Sequence, residues 1–146
     1  MTMSRGESMR DLEREVGLLM RRARHRIAQR AAEVDPELNP TAYLMLRHIA
    51  ENGPRRASDL CGVLATDKGT TSRLVHHLVE RGLIERAPDP EDGRASVLTV
   101  SGLGQERLEA VNATRQVALE EALSEWPTDE IATLAAMIGR LNTATG

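Results

Sequence analysis

The chain contains no phenylalanine, one tyrosine, one tryptophan and one cysteine. A core without Phe must be aliphatic, and a nucleic-acid mode that stacks bases on aromatic rings is not expected. Cys61 has no second cysteine to pair with in the chain. That excludes an internal disulfide and a paired-cysteine zinc site, and it suits a reducing compartment. No apolar run approaches the ~20 residues of a membrane span. The opening MTMSRGESMR lacks the apolar centre of a secretory signal. These absences predict a cytoplasmic protein with no membrane partner. Phosphate-loop, HExxH and GxSxG patterns are missing as well, so neither an enzyme nor a cofactor is expected. Lysine is nearly absent: Lys68 is the only one among 19 basic residues.

The 146 residues suit one domain, 1–146, able to bury a core without metal or disulfide staples. Their net charge is −3. A non-specific nucleic-acid binder usually has a domain pI above about 9, so any nucleic-acid contact here must come from a local face. Charge is uneven: the first 33 residues hold eight Arg against five acids, while residues 101–146 hold three Arg against seven acids.

Hydrophobic periodicity predicts the elements. Leu12, Val16, Leu19, Ala23 and Ile27 mark one face of a long first helix, ended by Val34-Asp35-Pro36. Asn39-Pro40 starts a helix over 41–51, with Ala42, Met45, Leu46 and Ile49 inward and Asn52-Gly53-Pro54 as its stop. Ala57, Leu60, Cys61 and Leu64 form a short helix. After the break Ala65-Thr66-Asp67, with Thr66 or Asp67 as cap, Thr71, Leu74, Val75 and Leu78 form another, closed by Gly82. The period then falls to two. Residues 83–86 and 96–101 read as strands around the turn-rich PDPEDG, a β-hairpin. Ser101 caps a long helix to about Trp126, carrying Leu103, Ala110 and Val117 at seven-residue spacing. Thr128 caps a last helix whose buried face is Ile131, Leu134, Ile138 and Leu141.

A short helix, a tight turn and a second helix form a helix-turn-helix, whose second helix can enter a major groove. The candidate contacts are Lys68, Thr70, Ser72, Arg73, His76 and His77, with Gly69 allowing close backbone approach. Arg73 can fork onto guanine, and Thr70 or Ser72 can reach bases or phosphates. Arg94, at the hairpin tip, can enter a narrow minor groove. Asp92 is placed to support the wing by pinning that guanidinium.

The stretch SDLCGVLATDKGTTSRLVHHLVERGLIERAPDPEDGRASVLTVSGLG, with its flanking helices, resembles the MarR family of winged-helix transcription regulators. The likeness covers essentially the whole chain and is most specific from the recognition helix into RGLIERAPDPEDGR. The family's wing usually reads Asp-Arg-Arg. Here it reads Asp92-Gly93-Arg94, so the tip arginine is kept and its neighbour is lost. Thr71 stands where an aliphatic residue is common. The resemblance implies a mainly α fold with a small β-hairpin wing. It implies a winged lobe at 38–100 and a helical dimerisation lobe from 1–37 and 101–146. It also implies a homodimer on a near-palindromic double-stranded DNA operator, and a small aromatic or anionic effector that releases it. Apart from the resemblance, the overlong apolar-striped helices need a partner to bury against.

Other readings stay open. His76 and His77 project about 100° apart, a poor arrangement for one metal ion. Cys61 lies on an apolar stripe, which favours an inert buried thiol over a redox switch. Arg21, Arg22, Arg24, Arg26 and Arg30 form either a solvated face or a seat for an anion or an acidic tail. Tyr43 and Trp126 read as packing residues or as walls of a ligand pocket. Arg94 is also readable as a plain solvated turn residue. The other function class is a winged-helix module that binds protein and has lost operator recognition.

Overall fold

The long first stripe forms α1 (Arg5–Val34), which opens on a capping box. The Ser4 hydroxyl accepts the Glu7 N–H at 3.3 Å, and the Glu7 carboxylate accepts the Ser4 N–H at 2.8 Å. The structure, a computed structural model, describes residues 3–146. The elements that follow are α2 (Pro40–Asn52), β1 (Arg55–Arg56), α3 (Ala57–Leu64), α4 (Lys68–Glu80), β2 (Ile84–Pro88), β3 (Ser96–Val100), α5 (Gly102–Ala122) and α6 (Thr128–Thr145). They form two compact units, the first reaching Val111 and the second starting at Asn112.

The expected helices are present, with instructive differences. The Asn39 side chain caps α2 by accepting the Ala42 N–H at 2.8 Å, and Pro40 occupies the first turn. Between α3 and α4 it is Asp67, not Thr66, that caps. The end expected for α5 near Trp126 is too late, since the helix stops at Ala122. Thr128 does not cap α6 but lies inside it, after Pro127. The hairpin gains a third strand: β3 runs centrally between β1 and β2, both antiparallel to it. Two-residue β1 has no alternation of its own to read. Its pairing, Arg55 with Leu98 and Arg56 with Val97, exists only through β3.

The core of the first unit is aliphatic, as the missing Phe requires. Ala42, Met45, Leu46 and Ile49 of α2 are buried with Leu60, Leu74, Val75, Leu78, Leu83, Ile84 and Leu98. Ala31 and Val34 of α1 and Leu108 and Val111 of α5 join them. Tyr43 is fully buried among them, so it packs rather than standing at the surface.

Two close approaches set the geometry around the sheet. The Ser101 hydroxyl donates to the Gly82 carbonyl at 2.5 Å and accepts the Gly104 N–H at 3.0 Å, capping α5 and tying it to the end of α4. A Cβ on Gly104 would lie 2.2 Å from the Leu83 carbonyl oxygen, so only glycine lets α5 cross this backbone.

The remaining stripes are not buried within the chain. On α1, Leu12 and Leu19 are exposed while Val16 and Ile27 are half-buried. On α6, Leu134, Ile138 and Leu141 are exposed and no residue is buried, which corrects the expected buried face. Val117 on α5 is exposed in the same way.

Candidate nucleic-acid interface

The turn between α3 and α4 is three residues long. Ala65 takes a left-handed conformation at φ 50°, ψ 42°, unusual for a non-glycine residue. The Thr66 N–H donates to the Cys61 carbonyl at 3.1 Å, so the strained residue is held by a bond on its far side. Under the turn, the Thr71 hydroxyl lies 2.8 Å from the Thr66 hydroxyl and accepts from the Cys61 thiol at 3.2 Å. This polar trio accounts for a threonine where an aliphatic residue is common. Thr71 is buried, and an aliphatic side chain would leave the other two without that partner. Cys61 is half-buried rather than fully enclosed.

Helix α4 exposes Lys68, Ser72, Arg73 and His76, with Thr70 half-buried at the edge. A chain of bonds organises its first turn. Asp67 accepts the Thr70 N–H at 2.7 Å and the Thr70 hydroxyl at 3.1 Å. That hydroxyl in turn accepts from the Arg73 guanidinium at 3.1 Å. The Thr70 amide and hydroxyl hold the Asp67 carboxyl below its ordinary range, assisted by the charge of Arg73. Thr70 therefore supports Arg73 as well as lining the face.

The two histidines have different surroundings. His76 Nε2 lies 3.3 Å from Glu80 one turn on, both exposed. His77 is half-buried, and its Nε2 lies 3.2 Å from the Glu37 carbonyl. A carbonyl only accepts, so that nitrogen carries the proton. Glu80, which the sequence reading passed over, sits on the exposed face where it neutralises rather than adds positive charge.

At the wing, Arg94 is exposed at the tip. Asp92 supports the loop, but not by pinning the guanidinium. Its Oδ1 accepts the Arg94 backbone N–H at 3.0 Å, an Asx turn. Asp89 does the same for the Glu91 N–H at 2.9 Å and also pairs with Arg56. Sequence reasoning missed Arg56 and Asp89, because nothing local marks a pair 33 residues apart.

A second cross-chain hub anchors the far end of α4. Asp35 is 1% exposed. Its carboxylate accepts the Glu37 N–H at 2.9 Å, Arg81 Nε at 2.9 Å and Arg107 at 3.3 Å. Burial pushes this carboxyl up, but the Glu37 amide and the two guanidinium groups outweigh it and hold it below its usual range. Arg107 also donates to the Val34 carbonyl at 3.1 Å. The hub thus joins the ends of α1 and α4 to α5.

An exposed helix face bearing Arg73, braced at both ends and followed by a three-stranded wing tipped with Arg94, is a winged helix-turn-helix. The sequence profile of the MarR family matches residues 37–95. The HTH-type transcriptional regulator YxaD of Bacillus subtilis is 36% identical over 107 residues, 73% of this chain and 75% of that protein. The chain belongs to the MarR family. It is accordingly a DNA-binding transcriptional regulator and not an enzyme. The HTH-type transcriptional repressor NicR of Pseudomonas putida is 29% identical, covering 74% of this chain and 70% of that protein. Among solved structures, a probable transcriptional regulator from Pseudomonas aeruginosa is 33% identical. It covers 89% of this chain and 98% of its own, with a TM-score of 0.60. Among the described residues, no helix is long and apolar enough to cross a membrane.

Proposed function

We propose that this MarR-family chain is a cytoplasmic homodimeric repressor. Each subunit lays α4 in the major groove of one half of a near-palindromic operator, and a small aromatic or anionic ligand lowers its affinity. Arg73 forks onto a guanine edge; Ser72, Thr70, Lys68 and His76 contact bases or phosphates; Arg94 enters the adjoining minor groove. His77, held at the Glu37 carbonyl, is left out of this contact set. The observation that carries the reading is the exposed, pre-organised Arg73 on a braced α4. A net charge of −3 makes one copy a weak electrostatic binder, so two copies are needed. The bare apolar residues Leu134, Ile138 and Leu141 on α6 and Leu12 and Leu19 on α1 supply a reason for a second copy to bind. The name of NicR, a repressor, supports the sign of regulation.

Selection from random DNA tests this. The expected outcome is a near-palindromic duplex, bound as a dimer in sedimentation. Its affinity should fall with salt at about 0.9 log units per log unit for each phosphate neutralised. The variant Leu134→Glu/Ile138→Glu should be monomeric and lose that duplex. A flat salt response with no preferred sequence would overturn the reading in favour of a protein-binding winged helix. A screen for small molecules that release the selected duplex tests the effector.

A further inference from the structure

We propose that Arg56 and Asp89 are positioning residues that hold the wing loop, and with it Arg94, at the height its groove contact requires. The inference rests on the assignment of Arg94 to the minor groove made above.

Arg56 lies on β1 and is also the residue that precedes α3, so it belongs to the start of the helix-turn-helix. Asp89 is the first residue beyond β2, where the wing loop leaves the sheet. Arg56 Nε donates to Asp89 Oδ2 at 2.6 Å, and Nη2 of the same guanidinium faces the same oxygen. Asp89 is only 8% exposed although it sits in a loop. Its other oxygen accepts the Glu91 N–H at 2.9 Å, and its own N–H donates to the Ala95 carbonyl at 3.0 Å. One residue therefore ties the entry of the loop to its exit, and both to a separate strand.

The rest of the loop is closed only upon itself. Ala95 N–H donates to the Asp92 carbonyl at 3.0 Å, and Asp92 accepts the Arg94 N–H. Among the described residues, the Arg56 pair is the side-chain hydrogen bond that joins residues 89–95 to another element. Gly93, beside the tip arginine, adds backbone freedom to lose on binding. A tip with one arginine depends more on being pre-ordered, and the Arg56–Asp89 pair supplies that order. It also references the wing to α3, so that the groove reached by Arg94 stays in register with the groove reached by α4.

Hydrogen exchange and titration of a wild-type-selected duplex, applied to Arg56→Ala, Arg94→Ala and the double variant, decide the matter. Arg56→Ala is expected to speed exchange at Glu91, Arg94 and Ala95 while leaving the amides of Leu46 and Leu78 protected. It is expected to weaken operator binding about tenfold. In the Arg94→Ala background it should add nothing, because it acts through Arg94. Arg56→Lys, which keeps one charged donor, should recover part of the loss. Unchanged exchange at the wing in Arg56→Ala overturns the inference. So do effects that multiply in the double variant, which would make Arg56 a phosphate contact in its own right. If Arg94→Ala alone leaves affinity unchanged, the assignment of Arg94 fails and the positioning role falls with it. That outcome is distinct from the case in which Arg94 matters and Arg56 does not.

Discussion

The two compact units handle their apolar residues in opposite ways. In the first, α2 and α4 bury Met45, Leu46, Ile49, Leu74, Val75 and Leu78 against one another and the sheet. In the second, α6 carries an equally regular stripe and buries none of it. The periodicity is the same; only the presence of a facing surface differs. A stripe in a sequence therefore reports that a face wants covering, not what covers it. Even in the first unit, Leu12 and Leu19 of α1 are left exposed. The exposed stripe of the second unit is the physical ground for the proposed dimer.

Five substitutions would break or sharpen this contrast. Leu78→Ala removes a fully buried side chain and should cost about 2–5 kcal/mol in urea unfolding. Ile138→Ala, at an exposed site, should change the stability of the dilute chain by less than about 0.5 kcal/mol. Equal losses at both sites would end the distinction between the units. Gly104→Ala should cost about 1–3 kcal/mol, since the added methyl meets the Leu83 carbonyl backbone, which cannot swing away as a side chain does. A neutral Gly104→Ala in thermal melts would show that α5 is free to shift against the sheet.

Arg73→Ala should weaken the selected duplex by about 1–3 kcal/mol and relax the preference at one base position, with thermal stability unchanged. A uniform loss across sequences would reassign Arg73 from base to phosphate. A further expected effect concerns pH. Asp35 is held below its ordinary range when folded, so its contribution is present above about pH 4 and lost as pH falls through the depressed value. Asp35→Asn should therefore lower stability at neutral pH and flatten its decline on the acid side. Urea midpoints from pH 6 to pH 3 check this, and parallel curves for the two proteins would remove Asp35 from the acid response.

The placement of the candidate site's elements was legible in the sequence. The helix-turn-helix could be read from Leu60, Leu74, Val75 and Leu78 and from a polar break of three residues, because the α-helical repeat is short-range geometry. The tip arginine could be read from the turn residues before it. Less legible was what each side chain does once placed. His77 lies four residues from Arg73, near enough on the helix to suggest a shared face, yet the α1–α2 connection approaches it and takes its ring nitrogen at the Glu37 carbonyl. Asp92 was expected to hold a guanidinium and instead holds a backbone amide, since a two-residue reach favours the Asx turn.

What the sequence determined by itself was local: which segments coil, that Asn39 and either Thr66 or Asp67 start two of them, and that the chain turns beyond Pro88. Those follow from backbone preferences that act over four residues or fewer. Only the tertiary structure decided that Asp35 meets Arg81 46 residues away, that Arg56 meets Asp89, and that β1 exists at all. A charge finds its partner through the packing of whole elements, and no spacing along the chain encodes that meeting.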